Sequence, residues 1–410
     1  MPDISFNNTG IAFAHKSKRD LSKARLLFKS FRYSSLLKHG PLLAKIVIAL
    51  GLKSLIKQSI FNQFCGGETI EECNTTIQFL AKSRVGTILD YSVEGEEEEV
   101  VFIATAEEIQ RTIRLASGNS NIPFCVFKLT GIMPFETLVF MSQCIVRGSI
   151  ASIESLEDSI LHSKTMDDSD SAIFTAHQKN WALGLDRFNR ICSMAYSNDV
   201  RLFVDAEESY IQTAIDLLAE NAMAQYNHSK AIIYNTVQLY RHDRLEYLRQ
   251  QILSTQHFLG FKLVRGAYME KERERAISMD YASPIHKNKE ATDRDYNAAV
   301  KLCMEQLNRV SICIGTHNDE SNLLGVQLME NKHISAGDER VYFSQLLGMS
   351  DHISFNLSNS GYSVGKYVPY GPVSGVIPYL TRRAQENSGM SGQMGRELQL
   401  IEQELMRRKG

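Results

Sequence analysis

The sequence predicts a (β/α)8 barrel with an N-terminal helical arm and a helical insertion. Three observations carry that expectation. Eight short runs rich in β-branched and apolar residues occur between residues 84 and 371. Several are hydrophobic almost without a break, as parallel strands covered on both faces must be. Segments with helical periodicity separate them, and eight parallel strands joined by helices close more naturally than they stay open. No G-x-G-x-x-G follows the first run, which weakens a doubly wound dinucleotide fold.

Residues 1–83 read as mainly helical and form the arm; residues 84–410 form the barrel domain. The strand candidates are residues 84–92, 124–131, 201–207, 232–240, 261–268, 310–318, 341–348 and 363–371. Clear helical patterns span residues 208–226, 241–259 and 319–332, and a mostly helical insertion covers 134–197. Its Asp167-Asp-Ser-Asp170 knot does not fit a calcium loop, because Ala172 and Gln178 stand where Gly and Glu are required. The acidic run 94–99 reads as a solvated loop leading into a helix.

At 410 residues the chain can bury a large core. Its 43% hydrophobic and 22% charged content is that of an ordinary soluble domain, and a net charge of −2 gives no reason to expect nucleic acid. Seven cysteines, an odd number without a C-x-x-C pair, point to reduced thiols in a cytoplasmic compartment. No apolar signal core opens the chain, and the uncharged run 46–52 is too short to span a bilayer. Lys38, Lys45, Lys53 and Lys57 recur at helical spacing. Two readings stay open for residues 41–57: a peripheral helix on an anionic membrane face, or an amphipathic helix packed on the main domain.

Barrel enzymes carry their reactive groups at the C-terminal ends of strands. Polar residues collect there in six of the candidates: Lys128 and Thr130; Asp205 and Glu207; Asn235 and Gln238; Lys262, Arg265, Gly266 and Tyr268; Thr316, His317 and Asn318; and Tyr367. After the eighth strand, Tyr379, Arg382, Arg383 and Glu386 fall at i, i+3, i+4 and i+7 on one helix face. Adjacent guanidinium forks suit a small carboxylate. The excess of cations over Asp205 and Glu386 fits an anionic substrate, a phosphorylated cofactor, or both. Gly266, in a bulky run, suggests close backbone approach to a flat or phosphorylated ligand. No His/Asp/Glu set has metal-ligand spacing, and no G-x-S-x-G elbow is present, so metal and acyl-enzyme chemistry are not expected.

The string 261–270 (Phe-Lys-Leu-Val-Arg-Gly-Ala-Tyr-Met-Glu), Thr316-His-Asn318, Gln345-Leu-Leu-Gly-Met349 and the run from Tyr379 to Asn387 together resemble the proline dehydrogenase family. The likeness extends from about residue 87 to Asn387 and is nearest the monofunctional, eukaryotic-like branch. It implies FAD-dependent oxidation of L-proline to Δ1-pyrroline-5-carboxylate, with electrons passed to a membrane quinone. By that resemblance Lys128, Arg382 and Arg383 hold the substrate carboxylate, Tyr268, Leu346, Tyr367 and Tyr379 wall its ring, and Asp205 orients the site's cations and Tyr367. Gln238, Lys262, Arg265, Gly266, Thr316, His317, Asn318 and Glu386 map to flavin-contacting positions.

Two departures from many bacterial members, Lys262 in place of Arg and Met269 in place of Trp, fit the eukaryotic-like branch. Tyr367 would crowd a hydroxylated ring, which favours proline. A hydroxyproline or other cyclic imino acid dehydrogenase is the alternative, and a non-catalytic barrel acting as sensor or scaffold is the reading from another class. At this length no fused aldehyde dehydrogenase is expected.

Overall fold

The computed structural model of the chain describes residues 4–30, 53–93, 98–147, 168–389 and 393–409, with side chains at all of these except 55, 168–174, 384–389, 393 and 394. Its strands are β1 (Gly86–Tyr91), β2 (Phe124–Phe127), β3 (Arg201–Val204), β4 (Ile233–Gln238), β5 (Leu259–Val264), β6 (Val310–Gly315), β7 (Val341–Leu346) and β8 (Val364–Tyr370). They form a closed barrel in sequence order. The (β/α)8 expectation is therefore met. Every residue of β2, β4 and β8 is buried, so both faces of these strands are covered, and in β2, Phe-Cys-Val-Phe, this accounts for an unbroken apolar run.

Each expected strand overlaps an observed one, but the observed strands stop earlier, and the fifth also starts earlier, at Leu259. The second ends at Phe127 and gives way to a 3-10 turn, Leu129–Gly131; the fifth ends at Val264 and the sixth at Gly315. Apolar character persists past the last ladder bond, since Leu129, Ile132 and Met133 are fully buried in the loop. Strand ends are decided by where the neighbouring strand stops offering partners, which local composition does not record. The helix expected over 241–259 runs only from Arg244 to Ser254, and Leu259 instead opens β5, its N–H donating to Arg309 O at 2.9 Å.

The chain packs as two compact units: residues 1–95, 119–123 and 314–410 form one, residues 96–118 and 124–313 the other. In the first, β8 pairs in parallel with β1 and β7, setting Tyr367 beside Ile88 and Leu346. Helix Lys18–Ser30 contributes Leu21, Ala24 and Phe28 to an apolar cluster shared with Leu398, Ile401 and Leu405 of the C-terminal helix Gln393–Arg407. Among the described residues before β1, Ala12, Phe61 and Phe64 join the same cluster. Lys53 and Lys57 are ion-paired with Glu68 (2.5 and 3.0 Å), and Lys57 also with Glu72 (2.9 Å).

In the second unit, β2 to β5 pair in parallel. The expected insertion is represented by helices Phe135–Val146 and Asp168–Ser197. The latter buries Trp181, Phe188 and Ile191, and its Arg187 donates to Ile132 O at 2.8 Å while pairing with Glu99. Lys38, Lys45, the 46–52 run, Glu94 to Glu97, Asp167 and the side chain of Glu386 lie outside the described residues. Among the described residues no helix is long and apolar enough to cross a membrane, and no group of three or more His, Cys, Asp or Glu could hold a metal ion.

Candidate active site

The second unit carries the ends of β2 to β5. Asp205 follows β3 directly, anchored by its N–H to Phe127 O at 2.9 Å. It is almost fully buried and is ion-paired with Lys262 of β5, and it accepts the Thr236 hydroxyl at 3.3 Å. The β4–β5 register, which sets Thr236 beside Lys262, brings these groups together. A buried ammonium needs a counter-charge and hydrogen-bond acceptors. Asp205 supplies both, and the Phe203 ring lies 5.1 Å from the nitrogen.

Beside this pair, Glu207 accepts both the N–H (3.1 Å) and the hydroxyl (2.5 Å) of Thr130. Its own carbonyl accepts Gln238 Nε2 at 2.6 Å, and its N–H donates to Gln212 at 3.0 Å. Burial pushes the Glu207 carboxyl up to about 7, against the pull of the Thr130 hydroxyl. The half-buried Lys128 precedes the turn that Glu207 holds. Thr130 and Glu207 stood out in the sequence only as polar strand ends. That they bond each other, and so brace the loop bearing Lys128, was not read.

Arg265 donates through Nε and Nη2 to Asp293 Oδ1 at 2.8 and 2.7 Å, and its guanidinium lies 4.4 Å from the Tyr296 ring centre. Burial raises the Asp293 carboxyl, but hydrogen bonds from Lys289 and Arg265 outweigh it and hold the group below the usual carboxylate range. Asp293 was missed, although Lys289, Asp293 and Tyr296 share one face of helix Lys289–Glu305 at i, i+4 and i+7. Gly266 has φ +140°, and a Cβ there would stand 2.4 Å from the Tyr240 ring. Glycine is thus demanded by a packed aromatic side chain before any ligand is considered. Tyr268, half-buried, immediately precedes helix Met269–Ser278.

The first unit carries the ends of β6, β7 and β8. Thr316 accepts the Asn318 N–H on its hydroxyl (3.1 Å) and Gln345 Nε2 on its carbonyl (3.1 Å). Asn318 caps helix Asp319–Asn331, its side chain accepting from Ser321 N at 2.8 Å. His317 Nδ1 lies 2.9 Å from the Ser350 hydroxyl.

Helix Ile377–Gly389 positions Tyr379 and Arg383, both buried, and the half-buried Arg382. The Arg383 guanidinium lies 5.0 Å from the Tyr379 ring centre, one helical turn away. Tyr379 belongs to an apolar cluster with Phe61, Phe64, Met349 and Val376, against which Leu346 also packs. Glu386 lies on the same helix. This unit therefore offers an aromatic and aliphatic wall with guanidiniums beside it. That suits a small apolar ring bearing a carboxylate. The other unit offers an ammonium held by the buried Asp205 and a guanidinium held by the half-buried Asp293, which suits an anionic or electron-accepting group.

The family model described as proline dehydrogenase matches residues 73–396, which include every candidate residue above. The chain belongs to the proline dehydrogenase family. It is 35% identical over 390 residues to the mitochondrial proline dehydrogenase 1 of Dictyostelium discoideum, covering 90% of this chain and 68% of that one. It is 30% identical over 431 residues to the hydroxyproline dehydrogenase of Xenopus laevis, covering 99% and 90%. Among solved structures it resembles proline utilization A (PutA) from Bdellovibrio bacteriovorus inactivated by N-propargylglycine, with TM-score 0.68 at 15% identity. That likeness covers 94% of this chain and 38% of the other, and it bears on the fold alone.

Proposed function

We propose that this proline dehydrogenase family member is an FAD-dependent enzyme that oxidises L-proline to Δ1-pyrroline-5-carboxylate and passes the electrons to a quinone. The observation that carries the reading is the family match over residues 73–396, because it spans both the guanidinium helix and the cation-bearing strand ends. Lys128, Arg382 and Arg383 bind the carboxylate, with Arg383 supplying a fork already withdrawn from water. Leu346, Tyr367 and Tyr379 enclose the ring, exclude water and leave the α-amine unprotonated. The nitrogen lone pair then forms the C=N bond as hydride leaves the adjacent ring carbon. No strong base is required for that step, only desolvation and alignment.

The donor set fits FAD. Lys262 lies in β5 and Arg265 directly after its last residue, each held by its own carboxylate, so neither must be reoriented to meet negative charge. FAD, when bound, supplies the hydride acceptor, and Gln238, Lys262, Arg265 and His317 are the residues that would hold it. A peripheral membrane contact goes with a quinone acceptor.

The likeness to a hydroxyproline dehydrogenase favours one second reading, oxidation of the hydroxylated ring. Anaerobic mixing of the purified flavoprotein with L-proline tests the first. Bleaching of the oxidised flavin band is expected, with a higher kcat/KM for proline than for 4-hydroxyproline. Reversed preference would select the second reading, and no bleaching with either would remove both.

A further inference from the structure

Lys366 lies in β8, one residue before Tyr367, and its side chain is fully buried. A lysine in the interior of a parallel strand is costly unless every ammonium proton finds an acceptor. Three converge on it: the Met349 carbonyl, the Leu346 carbonyl at 3.3 Å and Asp351 Oδ1 at 3.0 Å. All belong to the turn between β7 and helix Asp351–Asn359. Asp351 Oδ2 lies 2.7 Å from the Lys16 ammonium, contributed from the N-terminal arm. Arg408, beyond the C-terminal helix, donates to the carbonyls of Phe13 (2.6 Å) and Lys16 (2.5 Å) and so fixes the backbone from which Lys16 reaches in. Burial opposes ionisation of Asp351, but Lys16 and Lys366 outweigh it and hold the carboxyl far below the usual range.

The turn itself is strained. Gly348 has φ +75° and Ser350 has φ +50°, and for serine the left-handed region is unfavourable. Such a conformation persists where the surroundings over-determine it. Here Gln63 Nε2 donates to Gly348 O at 2.9 Å, and Ser350 N donates to the buried Glu397 at 2.8 Å. The Ser350 hydroxyl meets His317 Nδ1. The turn opens on Leu346 and closes on the partner of His317, one a ring-wall residue and the other a cofactor-facing residue in the function proposed above.

We propose that Lys366 is a positioning residue for this reaction: with Asp351 and Lys16 of the N-terminal arm, it holds the 346–351 turn in the strained shape that sets Leu346 toward substrate and His317 toward cofactor. The inference rests on the proposed function and gives the arm a part in it. Lys366 touches neither substrate nor cofactor; it acts through the carbonyls of Leu346 and Met349 and through Asp351.

The test compares Lys16→Met, Lys16→Arg and Lys366→Met with the unsubstituted protein in three measurements. These are the proline KM and kcat of the flavin-loaded enzyme, the FAD dissociation constant of the apoprotein by flavin fluorescence, and the thermal midpoint of the apoprotein. Lys16→Met is expected to raise the proline KM about tenfold and the FAD dissociation constant about threefold, with kcat within about twofold, while Lys16→Arg restores both. Lys366→Met is expected to do the same more strongly; if it does not fold, the Lys16 variants decide. Lowered thermal midpoints with unchanged proline KM and FAD affinity would overturn the proposal and leave the cluster a purely structural one. The FAD measurement needs no proline. If the natural protein binds FAD but is not reduced by proline, the functional reading falls while the FAD ratios still decide the role of the turn.

Discussion

Glu207→Gln separates the charge of a buried group from its hydrogen bonds. The carboxyl is 3% exposed and accepts twice from Thr130. Glutamine fits the same place: its Oε1 takes the Thr130 N–H, and its amide donates to the hydroxyl once that rotates. What the substitution removes is the cost of ionisation. Burial carries the group from 4.5 to about 7, which corresponds to about 3 kcal/mol at 1.36 kcal/mol per pH unit. Because the folded state holds the proton more tightly than the unfolded chain, the natural protein has its full stability below pH 4.5. It loses that contribution progressively as pH rises through 7 and is level above it.

Glu207→Gln should therefore match the natural protein at pH 4.5 and exceed it by about 3 kcal/mol at pH 8.5. Equilibrium urea unfolding followed by Trp181 fluorescence checks this. Trp181 is the chain's one tryptophan, buried in the same unit as Glu207. All other titrating groups cancel in the difference between the two proteins. A difference that stays flat with pH, at unchanged m-value, would refute the assignment of a buried, proton-holding carboxyl.

Arg383→Ala should raise the apparent proline KM by the equivalent of about 2–5 kcal/mol, the usual cost of truncating one partner of a buried charge pair; an unchanged KM would show that the carboxylate grip lies elsewhere. Lys262→Met should destabilise the protein by about 3–5 kcal/mol by stranding Asp205, and Lys262→Met/Asp205→Asn should recover most of it in denaturant unfolding; additive losses would show that the two groups are not coupled. Among the seven cysteines six are buried and only Cys144 is partly exposed, and burial pushes the Cys125 thiol up to about 12. A thiol reagent at pH 8 should thus label one site quickly and seven after denaturation, and several fast sites in the native protein would contradict that burial.

Much of the candidate site was legible because its residues carry signals that do not depend on distant partners. Tyr379, Arg382 and Arg383 share a helix face by spacing alone. Asn318 could also have been read as a helix cap, since Asp319 and Glu320 follow it in the first turn. Gly266 illustrates the opposite case. Its presence suggested a ligand at close range, yet the ring of Tyr240, 26 positions earlier in the chain, suffices to exclude a side chain. Periodicity says that a position is tight and not what makes it so.

Alternation of buried apolar runs with helices was enough to specify eight strands and a closed barrel, because both depend on local pattern and on the need to cover both strand faces. Family-bearing strings such as Thr316-His-Asn318 were equally visible. Tertiary structure alone decided which charges meet. Lys366 reads as an anomaly inside a strand until Leu346, Met349 and Asp351 surround it, and Lys16 lies hundreds of residues from the carboxylate it neutralises. The physical reason is that burying a charge is set by the partners that close around it, and those partners are assembled only when the chain folds.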